Sequence, residues 1–177
     1  MTGVQTCALP ISISPALAAN RPLESEVKAA FLLNFARLVT WPADTEDEET
    51  GLLTLGIFGD PELLESCRRG LEGKVANGRT IVVVDKTLAE AMDRSSTPEI
   101  LYLGGKERSE LAQIIKALAG RPVLLVSDHP GFAGMGGSIG LISDGDRMSF
   151  DINRRQEDAS GLKISSRLLR IARKVVE

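Results

Sequence analysis

Apolar runs of strand length alternate with helical segments through the middle of this chain, and this alternation most constrains its fold. Strands are predicted over residues 52–58, 80–84, 100–103 and 123–126. Three valines in the second run are typical of a strand that is covered on both faces. Strands and helices that alternate in this way predict parallel βαβ units with helices on both faces of the sheet.

Helix start and stop signals lie between these strands. Asp60 can cap a helix that begins at Pro61, because proline suits the first helical position. Residues 87–90 (TLAE) form a capping box, which opens a short helix. Residues 108–119 place apolar side chains on one helical stripe, and Gly120 closes that helix.

The order of elements changes in the C-terminal third, where an antiparallel hairpin is predicted. Residues 139–142 and 148–152 flank Asp144-Gly145, which is a strong hairpin-turn signal. A last helix is predicted over residues 165–176, with its leucines and valines turned inward. The predicted fold class is therefore α/β: a single domain with a mostly parallel sheet, helices on both faces and an antiparallel C-terminal hairpin.

The first helix is unusual because it is apolar almost all round. Residues 25–41 carry apolar side chains at helical spacing and also over most of the remaining circumference. Such a helix is either buried or docked on a partner. Pro42 is expected to end it, because the residue before proline avoids the helical region.

Residues 1–19 are interpreted as separate from the domain, which we place at residues 20–177. Residues 11–19 (ISISPALAA) end on an A-x-A pattern typical of a signal-peptide cleavage site, although no Lys or Arg precedes Arg21. Residues 1–12 (MTGVQTCALPIS) resemble a translated sequencing adapter. We therefore expect a truncated signal peptide behind an artefactual leader, and export of the protein. A cytoplasmic protein with a flexible leader is the alternative.

Composition and charge exclude some functional classes. The chain has 177 residues, 43% of them hydrophobic, which suits one globular domain. Its net charge of −3 argues against nucleic-acid binding, which needs a basic surface. The charge is uneven, with an acidic stretch at 44–62 and a basic excess at 147–177. The basic last helix is expected to be a solvated face, with docking to an acidic partner as the alternative.

Residues that could carry chemistry are few. His129 is the only histidine and follows a predicted strand at the end where α/β sheets bind ligands, but no G-x-S-x-G motif accompanies it. Cys67 is the only cysteine after the leader; Arg68 and Arg69 could lower its pKa, although a half-buried helix residue is the favoured interpretation. No metal site or cofactor site is predicted.

The glycine-rich run at residues 134–137 (GMGG) does not have the pattern of a phosphate loop. It lacks the Lys-Ser/Thr pair, and a strand rather than a helix follows it. We interpret these glycines as residues that let the chain approach the hairpin closely.

Three segments carry a family resemblance: VKAAFLLNFARLVTWP (27–42), SDHPGFAGMGGSIGLI (127–142) and FDINRRQEDASGLKISSRLLRIA (150–172). Together they resemble the YfiR family of periplasmic regulators. The resemblance implies an exported α/β domain without enzymatic activity. Such a domain binds the periplasmic sensory domain of an inner-membrane diguanylate cyclase and lowers cyclic-di-GMP, and an outer-membrane OmpA-like lipoprotein can sequester it. Some members have disulfides, whereas this chain has one cysteine beyond its leader.

Partner or ligand contacts are expected from the apolar helix, the loop after residue 127 and the basic last helix. The candidates are Phe31, Phe35, Trp41, Asp128, His129, Phe132, Arg167 and Arg170. A homodimer is also considered. Two alternatives remain open: a periplasmic small-solute-binding module that uses the crevice near His129, and an enzyme centred on Cys67 or His129.

Overall fold

The computed structural model describes residues 23–43, 50–105, 107–145 and 147–177. The predicted leader at residues 1–19 and the acidic run at 44–49 lie outside the described residues.

Short strands and helices alternate along most of the described chain. The strands are β1 (Val39–Thr40), β2 (Leu52–Phe58), β3 (Val75–Ala76), β4 (Arg79–Lys86), β5 (Ile100–Leu103), β6 (Leu124–Ser127), β7 (Ile139–Asp144), β8 (Arg147–Asn153), β9 (Lys163–Ile164) and β10 (Lys174–Val176). The helices are α1 (Glu24–Leu38), α2 (Pro61–Gly70), α3 (Leu88–Ala91), α4 (Arg108–Ala117), α5 (Arg154–Ser160) and α6 (Ser166–Ile171).

A mostly parallel sheet organises the domain. Its strand order is β10-β8-β7-β6-β5-β2-β4-β3, and β4, β2, β5, β6 and β7 run parallel to one another. Strand β7 pairs antiparallel with β8, from Ile139 opposite Ile152 to Asp144 opposite Arg147. Gly145 adopts a φ of +59° in the turn between them, a conformation that glycine allows. The predicted fold class is confirmed.

Helices cover both faces of the sheet because successive strand residues point to opposite sides. On one face, Ile100 and Tyr102 of β5 belong to the core under α1 and α2. On the other face, Leu101 and Leu103 pack in a second core with Leu111 and other apolar residues of α4. The continuous apolar runs in the sequence therefore come from strands that are buried on both sides.

Helix α1 ends three residues before the predicted end at Trp41. The backbone extends at Val39, and β1 pairs antiparallel with β9 through Val39 opposite Ile164. The side-chain amide of Asn77 donates to the carbonyl oxygens of Ala36 and Val39 at 3.1 and 2.9 Å, which satisfies acceptors at the helix end. Pairing with a distant strand, rather than Pro42, ends the helix.

The predicted starts of α2 and α3 are confirmed. Asp60 Oδ1 accepts a hydrogen bond from the backbone N–H of Leu63 at 2.9 Å, and Pro61 is the first helical residue. At the start of α3, the N–H of Thr87 donates to Glu90 Oε2 at 2.8 Å. The N–H of Glu90 donates to the Thr87 hydroxyl at 3.4 Å, which completes the capping box.

The prediction of one last helix over residues 165–176 is wrong in its second half. Helix α6 ends at Ile171, and the chain then forms β10 parallel to β8, with Lys174 opposite Asp151. The guanidinium of Arg173 donates to both carboxylate oxygens of Asp151 at 2.9 and 2.7 Å. Its backbone N–H donates to the carbonyl of Phe150 at 2.8 Å. These bonds to β8 hold the final valines in a strand.

A glycine-rich turn returns the chain from β6 to β7. Phe132–Met135 form one 3₁₀ turn, and the N–H of Gly137 donates to the carbonyl of Phe132 at 3.1 Å. A Cβ at Gly137 would overlap the Phe132 ring, which is almost completely buried. The glycine thus makes room for an aromatic ring of its own turn.

A buried charge network closes the amino end of the sheet. Glu99, only 3% exposed, accepts through Oε1 from the guanidinium of Arg79 at 2.8 Å and through Oε2 from the N–H of Thr54 at 2.7 Å. Arg79 lies over the ring of Trp41, 5.6 Å from its centroid. The indole N–H of Trp41 donates to the carbonyl of Glu99 at 3.0 Å. The network joins β2, β4 and the start of β5.

Replacing Glu99 by alanine is expected to lower the free energy of unfolding by about 3–5 kcal/mol, because Arg79, whose side chain is only 12% exposed, would lose its counter-charge. Urea denaturation measures this loss. Glu65→Ala is the matched control, since Glu65 forms an exposed pair with Arg68 at 3.6 Å. The control should leave the free energy almost unchanged. Similar losses in both variants would contradict the assigned role of Glu99.

Gly137→Ala is expected to lower the free energy of unfolding by about 1–3 kcal/mol, because the buried Phe132 ring has little room to move away from a new methyl group. Gly134→Ala in the same turn is the control, since no atom lies within 4 Å of its Cβ position. Thermal unfolding of both variants tests the packing. A Gly137→Ala protein as stable as the control would show that the ring does not require this glycine.

Candidate functional site

The carboxyl ends of the central strands carry a charged cluster, which we call the Lys28 cluster. Asp60 follows β2, Tyr102 lies in β5 and Asp128 follows β6. Lys28 and Glu24 reach this edge from the first turns of α1. The end of a parallel sheet where strand order reverses is the usual place for ligands in open α/β folds.

Lys28 is the centre of the cluster. Its side chain is 9% exposed, and Nζ lies 2.6 Å from Asp128 Oδ2, 3.2 Å from Glu24 Oε1 and 4.0 Å from Asp60 Oδ2. Burial by itself lowers the pKa of Lys28, but the hydrogen bonds and charges of Asp128 and Glu24 outweigh burial and raise the pKa above its ordinary value. The ammonium therefore remains charged at neutral pH and ties α1 to the loop after β6.

Tyr102 lies beneath the same carboxylates. Its side chain is fully buried, and burial raises the pKa of its phenol. The negative charges of Asp128 and Asp60 raise that pKa further. The phenol therefore remains protonated, and it cannot serve as a base at neutral pH.

A groove with a volume of about 570 Å³ opens beside the Lys28 cluster. The loop after β6 forms one wall, including Asp128 and His129, while strand β7 and the end of the chain form the others. Ile142 and Val176, which are both partly exposed, contribute apolar surface. Charges of both signs line the groove, with Glu24 and Asp128 on one part and Arg173 and Lys174 on another. This surface suits a polar partner or ligand that carries both charges and apolar groups.

His129 is positioned by backbone contacts. Its N–H donates to the hydroxyl of Ser127 at 3.1 Å, and that hydroxyl donates to the carbonyl of Leu103 at 2.6 Å. Its Nδ1 lies 3.0 Å from the carbonyl oxygen of Pro130. The ring is thus held by its own loop, as expected of a turn residue, and its place in the groove wall leaves it available for a contact.

The interpretation of Cys67 as half-buried is wrong, because the side chain is fully buried in α2. Burial raises the pKa of the Cys67 thiol to about 12, and the charge of Asp60 contributes to the rise. The basic residues that follow it, Arg68 and Arg69, are both exposed and do not activate the thiol. A protonated thiol inside the core is a poor nucleophile.

The structure divides the predicted contact residues into buried and accessible ones. Phe35 is fully buried, with its ring 5.3 Å from that of Phe150, and the side chains of Trp41 and Phe132 are 6% and 1% exposed. Phe31 is half-buried and packs on the same aromatic cluster. The apolar side of α1 therefore covers the sheet. In this conformation, a partner does not reach the buried side chains of Phe35, Trp41 and Phe132.

The remaining predicted contact residues lie in two separate places. Asp128 and His129 line the groove, whereas Arg167 and Arg170 are exposed on α6. Their role in contacts remains a prediction.

The sequence interpretation missed Lys28, Glu24, Asp60 and Tyr102 as members of one site. Only Glu24 and Lys28 are neighbours along the chain, at the i, i+4 spacing of a helical ion pair. The available signal in the sequence was Lys28, a lysine inside an otherwise apolar helical stripe. A buried lysine requires a counter-charge and therefore indicates a nearby carboxylate.

Neither a membrane span nor a metal centre is found in the described ranges. No helix there is long and apolar enough to cross a bilayer. Within the same ranges, no group of three or more His, Cys, Asp or Glu side chains is placed to hold a metal ion.

Two solved structures share this fold. An ABC domain in complex with L-Trp from Streptococcus pneumonia superposes with a TM-score of 0.57 at 10% identity, covering 84% of this chain and 60% of that chain. A conserved domain protein from Vibrio cholerae O1 biovar El Tor strain N16961 gives a TM-score of 0.56 at 11% identity, covering 86% and 60%. The chain thus spans about 60% of each neighbour's length, and at these identities the likeness shows the fold alone.

A family model described as YfiR/HmsC-like matches residues 25–173, which include the Lys28 cluster, the groove loop and α6. This family is regulatory rather than catalytic. The chain belongs to the YfiR/HmsC-like family.

Proposed function

We propose that the protein binds the periplasmic sensory domain of an inner-membrane diguanylate cyclase, represses the enzyme and thereby lowers cyclic-di-GMP. The family match over residues 25–173 carries this proposal. The family also suggests that an outer-membrane OmpA-like lipoprotein relieves the repression by sequestering the protein.

The groove beside the Lys28 cluster is the contact surface we propose for the cyclase. It offers charges of both signs, apolar groups and the accessible Asp128 and His129. The Lys28–Asp128 bond of 2.6 Å supports its wall, so that the contact groups are held in place before binding. The alternative surface on α1 is less suitable because its apolar side is turned into the core.

Deletion of the gene is expected to raise cellular cyclic-di-GMP, and complementation with the wild type should restore it. The tagged wild-type protein should also recover a membrane-anchored diguanylate cyclase, identified by mass spectrometry, from membrane extract. Unchanged cyclic-di-GMP after deletion, together with no cyclase in the eluate, would refute the repressor function.

The contact surface is tested with Gly134→Tyr, which should abolish both recovery of the cyclase and repression. Gly134 lines the groove, and its Cβ position is open, so a tyrosine can fill the groove without backbone strain. Gly70→Tyr is the matched control, because Gly70 also has an open Cβ position but lies at the end of α2. Equal repression by both variants would place the contact elsewhere on the domain.

A further inference from the structure

The last helix turns two cations and its most exposed aliphatic side chain toward solvent. Arg167, Arg170 and Ile171 are spaced i, i+3 and i+4, which places them on one side of α6. Ile171 is 64% exposed, whereas Leu168, on the inner side, is 1% exposed and packs in the core. We call these three residues the α6 outer face.

The charges of this face have no counter-charge within the described part of the chain. Among the residues that the structure describes, no carboxylate lies within ion-pair distance of Arg167 or Arg170. Arg170 Nε donates to the carbonyl of Ser166 at 3.4 Å. Arg173, two residues after the helix, differs because Asp151 binds its guanidinium in a bidentate pair.

Unpaired guanidinium groups beside an exposed aliphatic side chain suit one type of partner in particular. Arginine binds phosphate groups through a planar fork of N–H donors. An aliphatic side chain next to it can enter the boundary between headgroups and acyl chains. The groove does not include this face, so the cations are displayed on a helix surface rather than inside a shaped pocket.

We propose that the α6 outer face docks the domain on an anionic phospholipid surface. Electrostatic attraction to anionic headgroups supplies most of the binding, and Ile171 supplies an apolar anchor. Two cations and one isoleucine give weak and reversible binding that salt reverses. This lipid-docking surface is separate from the proposed cyclase contact. The proposal does not depend on that contact.

Vesicle flotation of the purified full chain tests the proposal. The protein should float with vesicles of equal parts phosphatidylglycerol and phosphatidylcholine, and not with vesicles of phosphatidylcholine alone. Neutralising both arginines with Arg167→Gln and Arg170→Gln should lower the partition coefficient about 30-fold. Ile171→Ser should lower it as well, since it removes the anchor without changing the charge.

The matched control neutralises two exposed cations of α4, on the opposite face of the sheet, through Arg108→Gln and Lys116→Gln. This variant has the same net charge as the first and should bind like the wild type. Circular dichroism confirms that each variant is folded. Failure of the wild type to float with anionic vesicles would overturn the proposal in favour of an acidic protein partner. An equal loss in both double variants would also overturn it, because net charge rather than the α6 outer face would then explain binding.

Discussion

The buried ammonium of Lys28 is the interaction on which the arrangement of this domain most depends. Helix α1 covers the sheet with apolar side chains, and an ammonium on its buried side would be costly without counter-charges. Asp128 and Glu24 lie at 2.6 and 3.2 Å from Nζ, and Asp60 is nearby at 4.0 Å. These carboxylates come from α1 itself and from the ends of β2 and β6. One charge therefore sets the position of the helix relative to the carboxyl edge of the parallel strands.

The two ends of the sheet differ in how their charged groups are arranged. At the amino end of the sheet, the buried Glu99 pairs with Arg79 and also accepts from the N–H of Thr54. At the carboxyl end, the Lys28–Asp128 pair borders an open groove, and Asp128 and Glu24 line that groove. Outside the groove, α6 contributes Leu168 to the core and exposes Arg167 and Arg170. The surfaces proposed for the cyclase and for the lipid are thus supported by the same core.

Local sequence patterns correctly predicted the elements that are determined by residues close together in the chain. The bounds of β2 and β5 match the apolar runs, and Asp60 caps α2 as its position before Pro61 indicated. Contacts between distant residues caused the errors. Pairing with β9 shortens α1, and pairing with β8 converts the predicted end of the last helix into β10. The Lys28 cluster was missed for the same reason, because Lys28 and Asp128 are 100 residues apart along the chain.

A double-mutant cycle on Lys28→Met and Asp128→Asn tests the central claim most directly, with the free energy of unfolding in urea as the readout. If the buried pair anchors α1 to the loop after β6, the two changes should be coupled by about 0.5–3 kcal/mol, and Asp128→Asn should cost much less once Lys28 is absent. Effects that add to within about 0.5 kcal/mol would show that the two residues act independently, and would contradict the anchoring role of Lys28.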